Sequence, residues 1–153
     1  MNIYTLGMPT TVLVDDWLPL QKLSNGTYVT EYAEVSEDKA LWGPIIEKMF
    51  AKRYGNYEHI IGGLPSNALQ TLTGAPSDEY LHKNIKSKDT IWEVLSKSDA
   101  MQDFITAGTE SAESDQIRNE VNLAKNHAYT VLGVKTLSNG TKLIQIRNPW
   151  GSE

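Results

Sequence analysis

Apolar runs broken by turn residues divide the start of the chain into short extended segments. Residues 10–20 combine Thr, Val and Leu with a stop at an Asp-Asp pair and Pro19, which predicts a buried strand. Asn25 and Gly26 then predict a tight turn into a second strand. We therefore expect extended structure, joined by a turn, before the first helix.

Apolar residues at helical spacing follow. Ser36 is a suitable N-cap for a helix that runs to about Arg53. The apolar positions of this helix recur every three or four residues and form one broad stripe: Leu41, Trp42, Ile45, Ile46, Met49 and Phe50. A shorter helix is predicted over residues 65–72, with Pro65 in its first turn and Gly74 after its end.

The pattern changes at about residue 76, and strands become more frequent than helices. A helix is predicted with Ser87 or Asp89 as its N-cap, and a strand is predicted within residues 101–110. Residues 111–121 are small, acidic and unpatterned, which indicates a mobile surface loop. Two strands joined by a turn follow in residues 125–153. This order predicts a mixed α+β protein.

Composition and charge exclude several classes of function. The chain has 153 residues, of which 40% are hydrophobic and 22% charged, as in an ordinary globular protein. Its net charge of -5 has the wrong sign for a nucleic-acid partner. The first residues lack the basic start of a signal peptide and the sustained apolar run of a membrane span. Because the chain has no cysteine, disulfides and thiolate metal sites are excluded.

The last two predicted strands carry a histidine and an asparagine. Alternation along the first of them puts four residues on one face: His127, Tyr129, Val131 and Gly133. Asn148 ends the next strand and shares a face with Ile144 and Ile146. A lone histidine on a strand is more often structural than catalytic, so the histidine alone would indicate no function.

The turn between these strands decides whether the two polar side chains meet. A two-residue type I′ turn at residues 139–140 pairs Asn148 with Val131. At about 3.3 Å per residue, this pairing leaves Asn148 roughly 13 Å from His127. A six-residue loop at residues 135–140 instead pairs Asn148 directly with His127. Both registers keep the two side chains on one face, and the Asn-Gly sequence slightly favours the tight turn.

A histidine in contact with an asparagine suits one kind of chemistry. An imidazole titrates near neutral pH and is the usual general base. It works best when a third group holds its other ring nitrogen, and an asparagine carbonyl accepts that N–H without adding charge. Trp150 follows the asparagine by two residues, where an indole would cover the bond from water. Cys-His-Asn proteases use this arrangement.

Several stretches together resemble the calpain branch of the papain-like cysteine proteases. NHAYTVLGV and IRNPWG resemble the family's His and Asn motifs, and VLVDDWLP is similar to its Asp-Asp-x-Leu-Pro strand. LWGPIIEKMFAKRYGNYEHIIGG is similar to the family's long helix, Tyr-Glu segment and Gly-Gly pair, and LQTLTGAP to the segment that ends its first lobe. These stretches occur in the family's order over nearly the whole chain.

The resemblance implies a fold and a set of roles. The fold would be α+β and papain-like but partial. Residues 1–75 would form the C-terminal part of the helical lobe, and residues 76–153 most of the antiparallel β lobe, truncated at its C-terminus. His127 would be the catalytic base and Asn148 its orienting partner, with Trp150 shielding their hydrogen bond.

The resemblance also implies a substrate, an extended polypeptide that pairs with the enzyme backbone. Gly62 and Gly63 would lie in the strip that makes this pairing, although spacing alone favours an ordinary turn equally. Asn126 stands where the family commonly has glycine before the histidine. That position acts through its carbonyl, so the substitution changes the shape of the pocket without excluding substrate pairing.

The chain lacks two features that the resemblance implies. The family's nucleophile is a thiolate, and loss of a triad nucleophile costs on the order of a million-fold in rate, so a chain without cysteine is expected to be inactive alone. A Cys-bearing lobe or other calpain domains would then be its partners. Calcium is expected from the family, but Ala40 replaces an acidic ligand and Asp38 is a weak substitute, so no metal site or other cofactor is predicted in this chain. The family implies a cytoplasmic location.

Three functions stay open at this point. The chain is part of a calpain-like intracellular cysteine endopeptidase, a non-enzymatic calpain-like module that binds peptides or regulates, or an unrelated α+β binding domain. A Gln-Gly-x-Cys-Trp-like segment upstream would favour the endopeptidase over the binding module.

Overall fold

A computed structural model describes residues 1–150. Within them the chain forms seven strands, three α-helices and two single turns of 3-10 helix, and its sheets are antiparallel, so the predicted α+β class is confirmed. The chain divides into two compact units, Met1–Ser77 and the part from Asp78 onward. The papain-like architecture, and the assignment of the two units to protease lobes, stay predictions.

The first unit begins with a hairpin of β1 (Asn2–Thr5) and β2 (Met8–Thr11). Leu6 and Gly7 form its two-residue turn with φ values of 50° and 78°, the left-handed conformation that a type I′ turn requires. Only one residue of the hairpin, Ile3, is fully buried.

The predicted buried strand over residues 10–20 is wrong. β2 ends at Thr11, and β3 (Leu20–Lys22) begins only after Pro19. Between them the Asp15 carboxylate accepts the Trp17 N–H at 3.0 Å, a local turn that replaces strand pairing.

The predicted turn at the first Asn-Gly pair is confirmed. β3 pairs with β4 (Tyr28–Thr30) through a three-residue loop. Leu23 N–H bonds the Thr27 carbonyl at 2.9 Å, and Gly26 N–H bonds the Leu23 carbonyl at 2.9 Å with a Gly26 φ of 85°. This is a type I turn followed by a left-handed glycine.

The first helix, α1 (Trp42–Tyr54), starts six residues after the predicted N-cap. Ser36 caps a separate turn instead: its carbonyl accepts the Lys39 N–H at 2.8 Å, and its hydroxyl accepts the Ala40 N–H at 3.1 Å. Lys39 has a φ of 60°, which interrupts a right-handed helix. Within the predicted stripe Met49 is fully buried, whereas Trp42 is 70% exposed.

The second helix, α2 (Pro65–Thr73), has the predicted ends. Pro65 occupies the first turn, and Gly74 ends the helix with a φ of 71° and an N–H bond to the Gln70 carbonyl at 2.8 Å. The ring of Tyr4 in β1 packs on this glycine so closely that a Cβ would lie 2.7 Å from it. Gly74 therefore serves both the helix end and its packing on the hairpin.

The second unit contains α3 (Lys88–Met101) and a sheet of β5 (Ile105–Gly108), β6 (Ala128–Thr136) and β7 (Lys142–Arg147) in that order. The predicted cap is confirmed, since the Ser87 hydroxyl accepts the Asp89 N–H at 3.2 Å. Lys142 Nζ bonds Asp89 Oδ1 at 2.6 Å and links β7 to α3. No helix within residues 1–150 is long and apolar enough to cross a membrane.

Candidate active site

The turn between β6 and β7 has neither of the two predicted lengths. Leu137 N–H bonds the Thr141 carbonyl at 2.8 Å, and Gly140 N–H bonds the Leu137 carbonyl at 2.9 Å. Residues 138–140 are thus a three-residue loop, and Gly140 has a φ of 84°. The Asn139 side chain closes the loop by accepting the Thr141 N–H at 3.0 Å. Both predicted registers are therefore wrong close to the turn.

One extra residue in β6 changes the register farther from the turn. Gly133 pairs with Gln145, but the next pair is Val131 with Ile146. Leu132 is left without a partner, which makes a β-bulge. Side chains that pair across a sheet point to the same side, so the bulge moves the far part of β6 by one position relative to β7.

The bulge places Asn148 on the face of His127. A regular ladder continued from Gly133 would set Asn148 opposite Thr130, whose side chain points to the other face. With the extra residue Asn148 falls opposite Tyr129, which shares a face with His127. Gly133 was predicted on the face of His127 but lies on the opposite face. It pairs with Gln145, whose side chain points away from that of Ile146, the partner of Val131. The contact between His127 and Asn148 thus depends on a β-bulge that the sequence pattern did not indicate.

His127 and Asn148 form a hydrogen bond. The distance from His127 Nε2 to Asn148 Oδ1 is 2.8 Å, and the Trp150 backbone N–H donates to the same oxygen at 3.2 Å. A backbone N–H only donates, so it fixes the amide oxygen toward the ring, and Nε2 must carry a proton. The neutral imidazole is therefore the Nε2–H tautomer, and the lone pair lies on Nδ1. Within residues 1–150 no hydrogen bond reaches Nδ1.

Two aromatic rings flank the imidazole. The Trp150 ring lies with its centroid 4.7 Å from that of His127, and the Tyr129 ring meets it edge to face at 5.0 Å. Tyr129 is 5% exposed, and its hydroxyl accepts the N–H of the fully buried Ala124 at 2.8 Å. These contacts restrict the motion of the ring.

The irregular segment before β6 also reaches this site. It reverses on itself, with Lys125 N–H bonded to the Ile117 carbonyl at 2.8 Å and the Asn119 side chain accepting the Leu123 N–H at 2.9 Å. The reversal places the Arg118 guanidinium 4.9 Å from the centre of the Trp150 ring, a cation–π contact. The sequence predicted only a surface loop here, since no local pattern linked Arg118 to a tryptophan thirty-two residues later.

The predicted substrate residues are all exposed. Asn126 has a φ of 49°, a left-handed conformation that glycine adopts most easily and asparagine tolerates best among the other residues. This accounts for an asparagine where the family commonly has glycine. Gly62 and Gly63 belong to the first unit, and a Cβ on either would have no heavy atom of residues 1–150 within 4 Å, apart from its neighbours in sequence. Space among the described residues therefore does not require glycine at these two positions.

The residues at the expected calcium position do not fit a calcium ion. Asp38 Oδ1 already accepts the Ser36 hydroxyl at 2.5 Å and the Ala40 N–H at 3.3 Å, and the alanine offers no side-chain oxygen. Throughout the part of the chain that the structure describes, no three histidine or acidic side chains come together as a metal site. Calcium needs six to eight oxygens, which these residues do not supply.

Comparison with known proteins gives the family. Residues 1–153 match the family model described as calpain family cysteine protease. The chain is 33% identical over 99% of its length to the calpain-type cysteine protease DEK1 of Zea mays, of which it covers 7%. It is 30% identical over 98% to calpain-12 of Mus musculus and 32% identical over 98% to the calpain-2 catalytic subunit of Gallus gallus, covering 20% and 21% of them. The chain thus spans about a fifth or less of these relatives, and it belongs to the calpain family of cysteine proteases.

Proposed function

We propose that this chain supplies the general base and its orienting partner to a calpain-type cysteine endopeptidase. The observation that carries the proposal is the 2.8 Å bond from His127 Nε2 to Asn148 Oδ1, on an oxygen that the Trp150 N–H also holds. In this arrangement no residue among 1–150 bonds Nδ1, the basic nitrogen of the ring, and the bond at Nε2 fixes the orientation of the ring. A general base of a Cys-His-Asn protease has these two requirements.

The proposed chemistry gives a role to both ring nitrogens of His127 and to the side-chain oxygen of Asn148. Nδ1 of His127 takes the proton of a thiol, and the thiolate attacks the peptide carbonyl. The ring is then a cation that donates from both nitrogens, and the Asn148 oxygen stabilises it without adding a charge. The ring then returns the proton to the amine as the C–N bond breaks, and it takes a proton from the water that cleaves the resulting thioester and restores the thiol. Trp150 covers the bond between the two side chains, so water competes less for it.

The thiol must come from another polypeptide segment. The chain contains no cysteine, so it should hydrolyse peptides no faster than a triad enzyme without its nucleophile, roughly a million-fold below the complete one. We propose Gly62 and Gly63 of the first unit, and separately Asn126 of the second, as residues that contact the backbone of an extended substrate, because all three are exposed and two have no side chain. A cytoplasmic location stays a prediction.

The proposal is tested by reconstitution. The chain is combined with a separately expressed Cys-bearing calpain segment, and hydrolysis of an unstructured polypeptide is measured. We expect activity that falls by at least about a thousand-fold in His127→Ala. His82→Ala is the matched control, because it removes an exposed histidine outside the site and should leave the rate unchanged. Hydrolysis that survives His127→Ala, or a verified complex without hydrolysis, would contradict the proposal.

A peptide-binding module without chemistry is the second candidate function. The absence of cysteine and the exposed Gly62-Gly63 segment favour it. Its test is calorimetric binding of an extended peptide to the chain alone and to Gly63→Val, which would obstruct the backbone. Binding that Gly63→Val abolishes, together with a verified but inactive complex in the reconstitution, would favour this candidate over the endopeptidase.

A further inference from the structure

Thr109 bonds the backbone of His127 in both directions. It directly follows β5, where the ladder with β6 would continue, and its N–H donates to the His127 carbonyl at 3.0 Å. In return the His127 N–H donates to the Thr109 side-chain oxygen Oγ1 at 3.1 Å. Two opposite residues of an antiparallel pair normally exchange these bonds through main-chain atoms alone. Here a hydroxyl takes the place of one carbonyl.

The hydroxyl of Thr109 has three hydrogen-bond partners. Its oxygen accepts the His127 N–H, and its proton faces two carbonyl oxygens, that of the fully buried Ala124 at 2.7 Å and that of His127 at 3.1 Å. The chain bends just before the histidine, where Asn126 has a φ of 49° and its N–H turns to the Glu110 carbonyl at 2.7 Å. The Thr109 side chain thus takes the place of the main-chain partner that the His127 N–H loses at this bend. It also links the start of β6 to Ala124, which precedes that strand.

We propose that Thr109 is a positioning residue that acts through His127; this inference rests on the proposed function of the His127–Asn148 pair. Two rotatable bonds connect the imidazole to the backbone. The direction of the Cα–Cβ bond therefore determines which positions Nε2 can reach. Fixing both the N–H and the carbonyl of one residue fixes that direction. An N–H···O hydrogen bond weakens steeply as its angle departs from linearity, so the backbone bonds that fix the direction of the side chain also control the 2.8 Å bond from Nε2 to Asn148.

The experiment compares three variants of the full chain by NMR. Thr109→Val keeps the branched shape and loses the hydroxyl, Thr109→Ser keeps the hydroxyl, and Thr106→Val makes the same change in β5 at an exposed residue without a side-chain hydrogen bond within residues 1–150. The readout is the exchange rate of the His127 Nε2 proton with water. We expect Thr109→Val to raise this rate at least about tenfold, and the other two variants to stay within about twofold of the original chain.

The outcomes separate positioning from simple stabilisation. An unchanged exchange rate of the Nε2 proton in folded Thr109→Val would overturn the inference, even if the variant unfolds more easily. Failure of Thr109→Ser to retain slow exchange would overturn it too. Thr109→Ala, which strains no neighbour, gives the same readout if the valine variant does not fold. A missing Nε2 proton signal in the original chain would contradict the His127–Asn148 pair and thus the proposed function, not the role of Thr109 alone.

Discussion

The same pentapeptide, Leu-Ser-Asn-Gly-Thr, forms two turns in this protein. It occupies residues 23–27 and residues 137–141. In both, the leucine N–H bonds the threonine carbonyl, at 2.9 and 2.8 Å, and the glycine N–H bonds the leucine carbonyl at 2.9 Å. The asparagine side chain accepts the threonine N–H at 3.0 Å in each, and the glycines have φ values of 85° and 84°. Five residues therefore determine this turn whatever surrounds it.

The two hairpins differ in what lies beyond the turn. β3 and β4 are three residues each, pair regularly and are almost entirely exposed. β6 and β7 have nine and six residues, contain a bulge at Leu132, and lead to His127 and Asn148. Identical turns thus start one hairpin without a site and one with a candidate site. The turn sets the first pairs, and the bulge sets which side chains meet.

The largest expected effect comes from deleting Arg147. This deletion moves Asn148 one position closer to the turn, opposite Thr130, and reverses its face. The bond to His127 is then impossible, and hydrolysis by the reconstituted enzyme should fall by roughly the hundred- to ten-thousand-fold that a positioned base contributes. Loss of the Nε2 proton signal by NMR should accompany the loss of activity.

A deletion of Leu132 is the matched control. It also removes one residue from the same sheet, but that residue has no partner, so the pairing of Val131 with Ile146 stays as it is. The bond between His127 and Asn148 should persist. If both deletions abolish the bond, or neither does, the assigned role of the register beyond the bulge is wrong.

The second prediction concerns the two turn glycines. Alanine at a φ near 85° costs about 1 kcal/mol, so Gly26→Ala and Gly140→Ala should carry the same local strain. Gly140→Ala should lower the free energy of unfolding of the second unit by this amount, because β6 carries the buried Tyr129 and Val131. Gly26→Ala should open only its own exposed hairpin.

Hydrogen exchange of the backbone amides distinguishes the two effects. Faster exchange throughout β5, β6 and β7 is expected in Gly140→Ala, and faster exchange confined to residues 20–30 in Gly26→Ala. Reduced protection of the β6 amides in the Gly26 variant would show that the turns do not act locally.

Short-range features of this fold were predictable from sequence. The Ser87 cap, the ends of α2 at Pro65 and Gly74, and the first Asn-Gly turn each depend on residues within four positions. The start of α1 was missed although it is also local, because the turn at Ser36 competes with the helix for the same side chain. Propensity identified a good cap without identifying which structure it caps.

The sequence indicated the residues of the candidate site but not the geometry that joins them, and their catalytic roles stay predictions. His127, Asn148 and Trp150 stand out because of motif and chemistry, and their contacts are as expected. The bulge that brings them together depends on pairing across the sheet, and Leu132 looks like any apolar strand residue. Thr109 lies eighteen residues before the histidine, directly after a strand whose partner the pattern left open. Such contacts are set by topology, which single-sequence patterns record poorly.

The smallest expected effect concerns the residue that follows each turn. Lys142 follows the second pentapeptide, and its bond to Asp89 holds the pKa of that carboxyl below its usual value. Tyr28 follows the first pentapeptide, and Lys22 lies 5.9 Å from the centre of its ring. Among residues 1–150, the second hairpin is therefore bound to a helix by an ion pair and the first is not.

This ion pair should make the stability of the second unit depend on pH. A carboxyl with a lowered pKa in the folded state contributes stability that is present above its unfolded pKa of about 3.9 and is lost as the pH falls through the folded value. The urea midpoint of Lys142→Met should therefore lie below that of the original chain at pH 6, and the gap should close toward pH 2. The effect is small because the side chains of Lys142 and Asp89 are 41% and 78% exposed to water. Lys22→Met removes the lysine that lies over the Tyr28 ring in the first hairpin and should show no such pH dependence, so a gap that closes equally in both variants would contradict the assignment to Asp89.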